Sequence, residues 1–277
     1  MTASLNDRTL AEVEECVEAL WPVSGAESWD AVGLLSGDPA AVVGRIHLAV
    51  DAVLDTVDEA IAAQADLLLV HHPLLLRGVT TVAENRYKGA VIARLIRAGC
   101  ALLAAHTNAD VVARGTSAVL AERIGLRNTR PLVPTAFDST IGIGRVGDLA
   151  EPTTLGRLAS GLAELLPATA QGVRVAGDYD RPISRVALCA GAGDAYLGLA
   201  DVSAAHVYIT SDLRHHPASE ASENARVGGG PALIDISHWA SEWLWLDVAA
   251  AQLREALPGV EVTVSELRTD PWTFSIV

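Results

Sequence analysis

Two adjacent histidines, His71 and His72, close the apolar run LLLV in the segment LLLVHHPLLLRG (67–78). Imidazole near neutral pH can ligate a metal, carry a proton or simply hydrogen-bond. One histidine at the end of a buried run most often does only the last of these. Two in succession, followed by a proline that stops a strand, point to chemistry if other segments supply partners. They do: His106 and Asp110 in AHTNAD, Asp212, His215 and His216 in TSDLRHH, and His238 and Glu242 in SHWASE each follow an apolar run. Six of the eight histidines stand at such places, and only His47 and His206, near the starts of runs, do not. Imidazole nitrogen and carboxylate oxygen without thiolate suit divalent ions such as Zn, Fe, Mn or Mg.

The spacings add detail. Residues four apart share a helix face, so His238 with Glu242, and His106 with Asp110, pair up wherever their segments are helical. Neighbours in extended chain project to opposite sides, which makes His71 and His72 a poor chelate for one ion. They serve two ions better, and two-metal hydrolytic sites hold their ions about 3.5–4 Å apart. Taken singly, His106 or His238 reads as an ordinary hydrogen-bonded histidine, and His215–His216 as a solvated loop. Their joint placement favours a dinuclear centre.

The elements that must position these groups follow from the apolar pattern. Short runs at Ile46–Val50, Leu67–Val70, Ala101–Ala105, Val186–Cys189, Val207–Ile209 and Ala232–Ile236 read as buried strands. Between them, Val53–Ala63, Ala90–Ala98 and Thr116–Ile124 have helical spacing, as does the stretch through Leu246, Ala249, Leu253 and Leu257. Strands alternating with helices predict α/β layers with mixed sheets flanked by helices. In such sheets ligands bind beyond the carboxyl ends of the strands, where the histidines fall. Residues 45–72 can be laid on 185–212 without a gap, which sets His71–His72 opposite Ser211–Asp212 and suggests two related βαβ halves. Turn-rich sequence after Arg130 and the glycines of RVGGGP (226–231) predict a first domain of 1–130 plus 230–277 and a second of 131–229.

Composition narrows the function classes. Half of the 277 residues are apolar and 19% charged, which excludes a globally disordered chain. There is no apolar run long enough for a membrane span, and the N-terminal segment lacks the pattern of a signal peptide. Cys16, Cys100 and Cys189 are scattered in apolar surroundings and read as reduced thiols of a cytoplasmic protein. A net charge of −14 and a single lysine, Lys88, leave no basic face for nucleic acid. Binding a phosphate to so acidic a chain would need the metals or local cations such as Arg77, Lys88 or Arg214 to offset the repulsion, though Arg77 and Arg214 are more often plain surface charges. There is no G-x-x-x-x-G-K loop.

The blocks ESWDAVGLLSGDP (27–39), DLLLVHHPLL (66–75), AHTNADVVARGTSAVLAERIGL (105–126), GAGD (191–194), ITSDLRHHPASEA (209–221) and SHWASEW (237–243) resemble, in order, those of the GTP cyclohydrolase I type 2, or Nif-three-like, family. The resemblance spans nearly the whole chain and matches the short form, without an inserted domain. It implies two α/β domains, a pair of divalent metal ions in the interdomain cleft and a homohexamer. By position it implies His71, His72, Asp110, His238 and Glu242 as metal ligands, with His106 and His216 as catalytic histidines. One departure stands out: Ser211 occupies the place of a usual glycine, and serine disfavours a positive φ.

The activity so implied is opening of the GTP imidazole ring, with release of formate and formation of dihydroneopterin triphosphate. The substrate is then a small molecule, a nucleotide such as GTP. The same metals would also serve a phosphatase or phosphodiesterase, and a non-catalytic metal-binding scaffold or partner-binding protein would carry the same ligands.

Overall fold

The computed structural model describes residues 8–276. In chain order the strands of its two main sheets are β1 (Gly33–Ser36), β2 (Arg45–Asp51), β3 (Leu67–His72), β4 (Ala101–Ala104), β5 (Leu126–Arg130), β6 (Arg145–Thr154), β7 (Arg174–Ala176), β8 (Pro182–Ala192), β9 (Val207–Ser211), β10 (Ala232–Ile236) and β11 (Glu261–Val264). The helices are α1 (Leu10–Leu20), α2 (Leu54–Ala62), α3 (Tyr87–Ala98), α4 (Thr107–Val111), α5 (Thr116–Arg123), α6 (Leu155–Leu165), α7 (Ala200–Ser203), α8 (His215–Val227) and α9 (His238–Ala256). The chain divides into two units, Met1–Ala109 with Leu246–Thr269 and Asp110–Trp245 with Asp270–Val277.

In the first unit the sheet order is β11-β2-β3-β4-β1, parallel except for β1. Leu67, Leu68, Leu69 and Val70 of β3 are fully buried, as a central parallel strand covered on both faces requires. Burying each such side chain contributes about 1.5–3 kcal/mol relative to leaving it in water. Helices α2 and α3 cover one face, with Val57, Ala60, Val91 and Leu95 packed on Leu68, Val70 and Leu102. Helix α1 starts on a capping box in which Thr9 and Glu12 satisfy each other's backbone N–H. Helix α3 stops at Gly99, whose φ of 68° supplies the left-handed turn.

The second unit has the order β7-β10-β9-β8-β6-β5, with β8, β9 and β10 parallel and the rest antiparallel. Its core joins Val146, Ala187, Cys189, Tyr208 and Leu233 with Val202 of α7. Both sheets are mixed and flanked by helices, as the alternation of runs predicts. The gapless overlay also has a structural counterpart. Ile46 pairs with Leu67 in the first unit, and Val186 with Val207 in the second, the same register 140 residues later. The second copy replaces the long helix α2 with a 3-10 turn, Asp194–Tyr196, and the short α7.

The division of the chain lies elsewhere than at the turn-rich segments near 130 and 230. Strands β5 and β10 both hydrogen-bond into the second sheet, so the units separate at Ala109/Asp110 and Trp245/Leu246, inside α4 and α9. Among the described residues no helix is long and apolar enough to cross a membrane. Trp239 and Trp245 are core residues of α9. The thiols are free, Cys100 and Cys189 buried and Cys16 half-buried.

Candidate metal centre

In the first unit three imidazoles meet at the carboxyl ends of β3 and β4. His71 and His72 are the last residues of β3, and His106 follows β4 by two residues. Ring centroids lie 5.0 Å apart for His71–His72, 5.1 Å for His71–His106 and 5.5 Å for His72–His106. The alternation of an extended strand would separate His71 from His72, yet both lie in β3, with His72 still paired to Asp51 of β2, and their rings stand 5.0 Å apart. One ligand atom from each of the three histidines falls within 4.8 Å of the others.

Each ring is held through Nδ1. His71 donates to the carbonyl oxygen of Ala105 at 2.9 Å. His72 donates to Asp51 at 2.7 Å, and Thr269 donates to the other oxygen of that carboxylate at 2.5 Å. His106 donates to Asp30 at 2.9 Å, while Thr107 donates to Asp30 through its backbone N–H at 3.0 Å and through its hydroxyl. With Nδ1 carrying the proton, the lone pair of each ring belongs to Nε2, the tautomer used when a carboxylate or carbonyl orients a metal-binding histidine. Burial alone would raise the Asp30 carboxyl, but the bonds from His106 and Thr107 outweigh it and hold the group well below the usual range.

In the second unit Ser237 caps α9, accepting from the N–H of Ala240 at 3.2 Å and donating to Asp270 at 2.6 Å. The first turn of the helix presents His238 and Glu242 on one face, with Nε2 to Oε1 2.9 Å. His238 Nδ1 donates to Asp212 at 2.7 Å. Burial acts to lower the His238 pKa, but the carboxylates of Glu242 and Asp212 raise it well above the ordinary value. Beneath the turn, Gly191 donates its N–H to Ser241 at 3.0 Å and accepts from Thr210 at 3.0 Å, with φ of 73°. A Cβ at that glycine would lie 2.4 Å from Glu242 Oε1. Asp110 accepts from Thr116 at 2.5 Å. Burial, then Asp110 and Glu242, drive the Cys189 thiol far up, so both carboxylates act on the same buried sulfur.

The profile of the Duf34/NIF3 (NGG1p interacting factor 3) family matches residues 8–271. The chain belongs to the Duf34/NIF3 family. It is 47% identical to a Streptomyces coelicolor protein named GTP cyclohydrolase 1 type 2 homolog, over 96% of this chain and 94% of that one. A Mycobacterium leprae protein of the same name is 34% identical over 372 aligned positions, covering 96% of this chain and 95% of its own, so it carries inserted residues that this chain lacks. A solved Staphylococcus aureus hypothetical protein matches with TM-score 0.86 at 28% identity, over 96% of this chain and 99% of its own. A Bacillus cereus protein related to NIF3 shares the fold, with TM-score 0.88 at 23% identity over 99% of this chain and all of its own.

Set against the Duf34/NIF3 residues expected from sequence, the structure gathers His71, His72 and His106 in one cluster, and His238 with Glu242 in another. His106, expected as a catalytic residue, stands among the imidazoles on equal terms with His71 and His72. His216 lies on the exposed first turn of α8, its ring 5.2 Å from that of His215. Arg214 is engaged by Asp194 at 2.9 Å, and Lys88 by the carbonyl oxygen of Arg77 at 3.2 Å. Ser211 pairs in regular strand with Ile236, and the positive φ of 57° falls on Asp212 instead. Sequence reasoning gave Asp30 and Asp51 no role and counted Asp212 among the strand-end groups without making it a support for His238. Asp51 ends β2, so the rule that found the histidines also applied to it.

Proposed function

We propose that this chain is a divalent-metal-dependent hydrolase acting on a nucleotide-like small molecule, GTP being the first candidate. The observation that carries the reading is the three-imidazole cluster, with every Nδ1 engaged and three ligand atoms within 4.8 Å. The donor set fits two ions of the Zn, Fe, Mn or Mg group, with His71, His72, Asp110, His238 and Glu242 as ligands. Such a pair supplies Lewis acidity and lowers the pKa of water, so hydrolysis proceeds at neutral pH.

The chain's own residues supply the rest. Asp51, Asp212 and the Ala105 carbonyl fix the tautomer and angle of the ligand rings. His106, backed by Asp30, is the group we assign to moving a proton at the reacting atom, because the carboxylate at Nδ1 orients the ring and leaves the Nε2 lone pair available. His216 is the second candidate for that role from the family resemblance. The names of the relatives support a nucleotide substrate. A homohexamer and a cytoplasmic location complete the reading.

The test is elemental analysis of protein purified without added metal, alongside His71→Ala, His238→Ala and Glu242→Ala, followed by assay of formate release from GTP. Bound metal in the wild type, lost in the variants, with formate release lost in parallel, supports the reading. Variants that keep wild-type metal content refute the ligand set. Phosphoester hydrolysis without formate moves the assignment to a phosphatase or phosphodiesterase, and metal without turnover moves it to a scaffold.

A further inference from the structure

Trp29 is an indole of the first unit with 58% of its surface exposed. A tryptophan left in water forgoes the largest apolar burial a side chain offers, so its position needs a reason. Its ring lies edge-on to His106, 5.9 Å between centroids at 75°. Its backbone is pinned on both sides. Glu27 donates its backbone N–H to Thr107 Oγ1 at 2.9 Å, and Asp30 closes a turn by donating its N–H to the Glu27 carbonyl oxygen at 3.0 Å. The Asp30 carboxylate in turn binds His106, Thr107 and the N–H of Ala31. The same aspartate that orients His106 therefore fixes the neighbouring backbone from which the indole projects. Tyr87, also exposed, differs in that it spends its hydroxyl on the Ala52 carbonyl.

We propose that Trp29 is the stacking platform for the planar heterocycle of the substrate, and that it confers preference for a purine nucleotide over a sugar phosphate. An aromatic on a rigid backbone gives contact area at little entropic cost, since few torsions are left to freeze. Its place against His106 brings the ring that would stack on it close to the imidazole cluster. The inference deepens the hydrolase reading and rests on it for the class of substrate.

The experiment is calorimetric titration of the full chain, wild type and Trp29→Ala and Trp29→Phe, with guanosine 5′-monophosphate and with ribose 5-phosphate, metal content measured on each preparation. The wild type should prefer the nucleotide. Trp29→Ala should weaken nucleotide binding by about 10- to 100-fold, leave ribose 5-phosphate binding unchanged and keep its metal. Trp29→Phe should stay close to the wild type. Equal affinity of the wild type for the two probes overturns the proposal, as does nucleotide binding undiminished in Trp29→Ala or a parallel loss for both probes. A change of oligomeric state in Trp29→Ala with unaltered nucleotide binding also overturns it, assigning the indole to a contact between copies. Failure of the metal reading is distinct: the wild type would then lack metal whatever its preference between the probes.

Discussion

Gly191→Ala is the substitution whose outcome the geometry fixes most tightly. The new Cβ would stand 2.4 Å from Glu242 Oε1 and 3.2 Å from His238 Nε2. The glycine cannot retreat, because its N–H is bonded to Ser241 and its carbonyl to Thr210. The Glu242 carboxylate must therefore yield, and restoring an ordinary contact takes a shift of about 1 Å. Metal–ligand distances tolerate only about 0.2 Å, so on the proposed metal reading the shift would cost Glu242 its place as a ligand. Two penalties add in the folded state. Alanine at φ 73° costs about 1–2 kcal/mol, and forcing an atom into the packed turn costs about 1–3 kcal/mol more. Gly99→Ala is the control, with φ of 68° and nothing within 4 Å of its Cβ. It pays only the backbone cost. Urea unfolding of both variants, with metal content after dialysis, reads the two effects apart. Gly191→Ala should be the less stable by the packing penalty and should lose metal, while Gly99→Ala keeps it. Placing Gly191→Ala in a Glu242→Ala background should recover most of the packing penalty, as expected for groups in contact. Gly191→Ala with wild-type metal content and the stability of Gly99→Ala would refute the reasoning.

Other predictions concern single groups within each unit. Asp51→Ala should weaken metal binding by about 10- to 100-fold through loss of the His72 support, and Thr269→Val by less, as measured by competition with a chelator; unchanged affinities would show that this support is idle. The depressed Asp30 carboxyl contributes stability above its unfolded value near about pH 4 that is lost as pH falls. The melting-temperature advantage of the wild type over Asp30→Asn should therefore shrink on acidification, and a constant difference between pH 7 and about pH 3 would contradict the sign. Burial pushes the Cys100 thiol up to about 11 and Cys189 further, and thiolate is the reactive form. A thiol reagent near neutral pH should label neither in the native protein and all three cysteines after denaturation; rapid native labelling of Cys189 would be inconsistent with its burial.

How much of this was legible in the sequence depended on the kind of signal. The strand ends were readable because LLLV and ALLA are buried on both faces and leave an uninterrupted apolar record, as does ALIDI but for Asp235. His238 and Glu242 were readable as a pair because their spacing is the helical repeat. The limits of the two units were not, since they fall inside α4 and α9 with no proline or glycine to mark them. The turn chemistry near residues 130 and 230 instead marks loops that enter and leave one sheet. Asp30 was illegible as a partner for His106 because it sits in an irregular loop 76 residues away in sequence. His215–His216 carried the same composition as the other pairs, yet that pair lies on an exposed helix start. Residue type alone does not distinguish the two situations; burial and a partner at Nδ1 do.

The two units solve the same problem in a shifted register. In the first, the acid supporting His72 comes from Asp51, at the end of the preceding strand β2. In the second, the acid supporting His238 comes from Asp212, just past the preceding strand β9. Parallel neighbours make this possible, because a residue ending one strand stands beside the residue leaving the next. Electrostatics in the second unit carries the consequence. The buried cation Arg145 is occupied by the carbonyl oxygens of Gly142, Gly144 and Val112. Burial lowers its pKa to about 10 even with Asp110 nearby. Cys189 and His238 are both shifted up with Glu242 among the causes. Burial is the leading cause at Cys189, with Asp110 and Glu242 adding to it, and Glu242 with Asp212 outweighs burial at His238; carboxylates gathered in this way favour a cation beside them, which is consistent with the proposed metal reading.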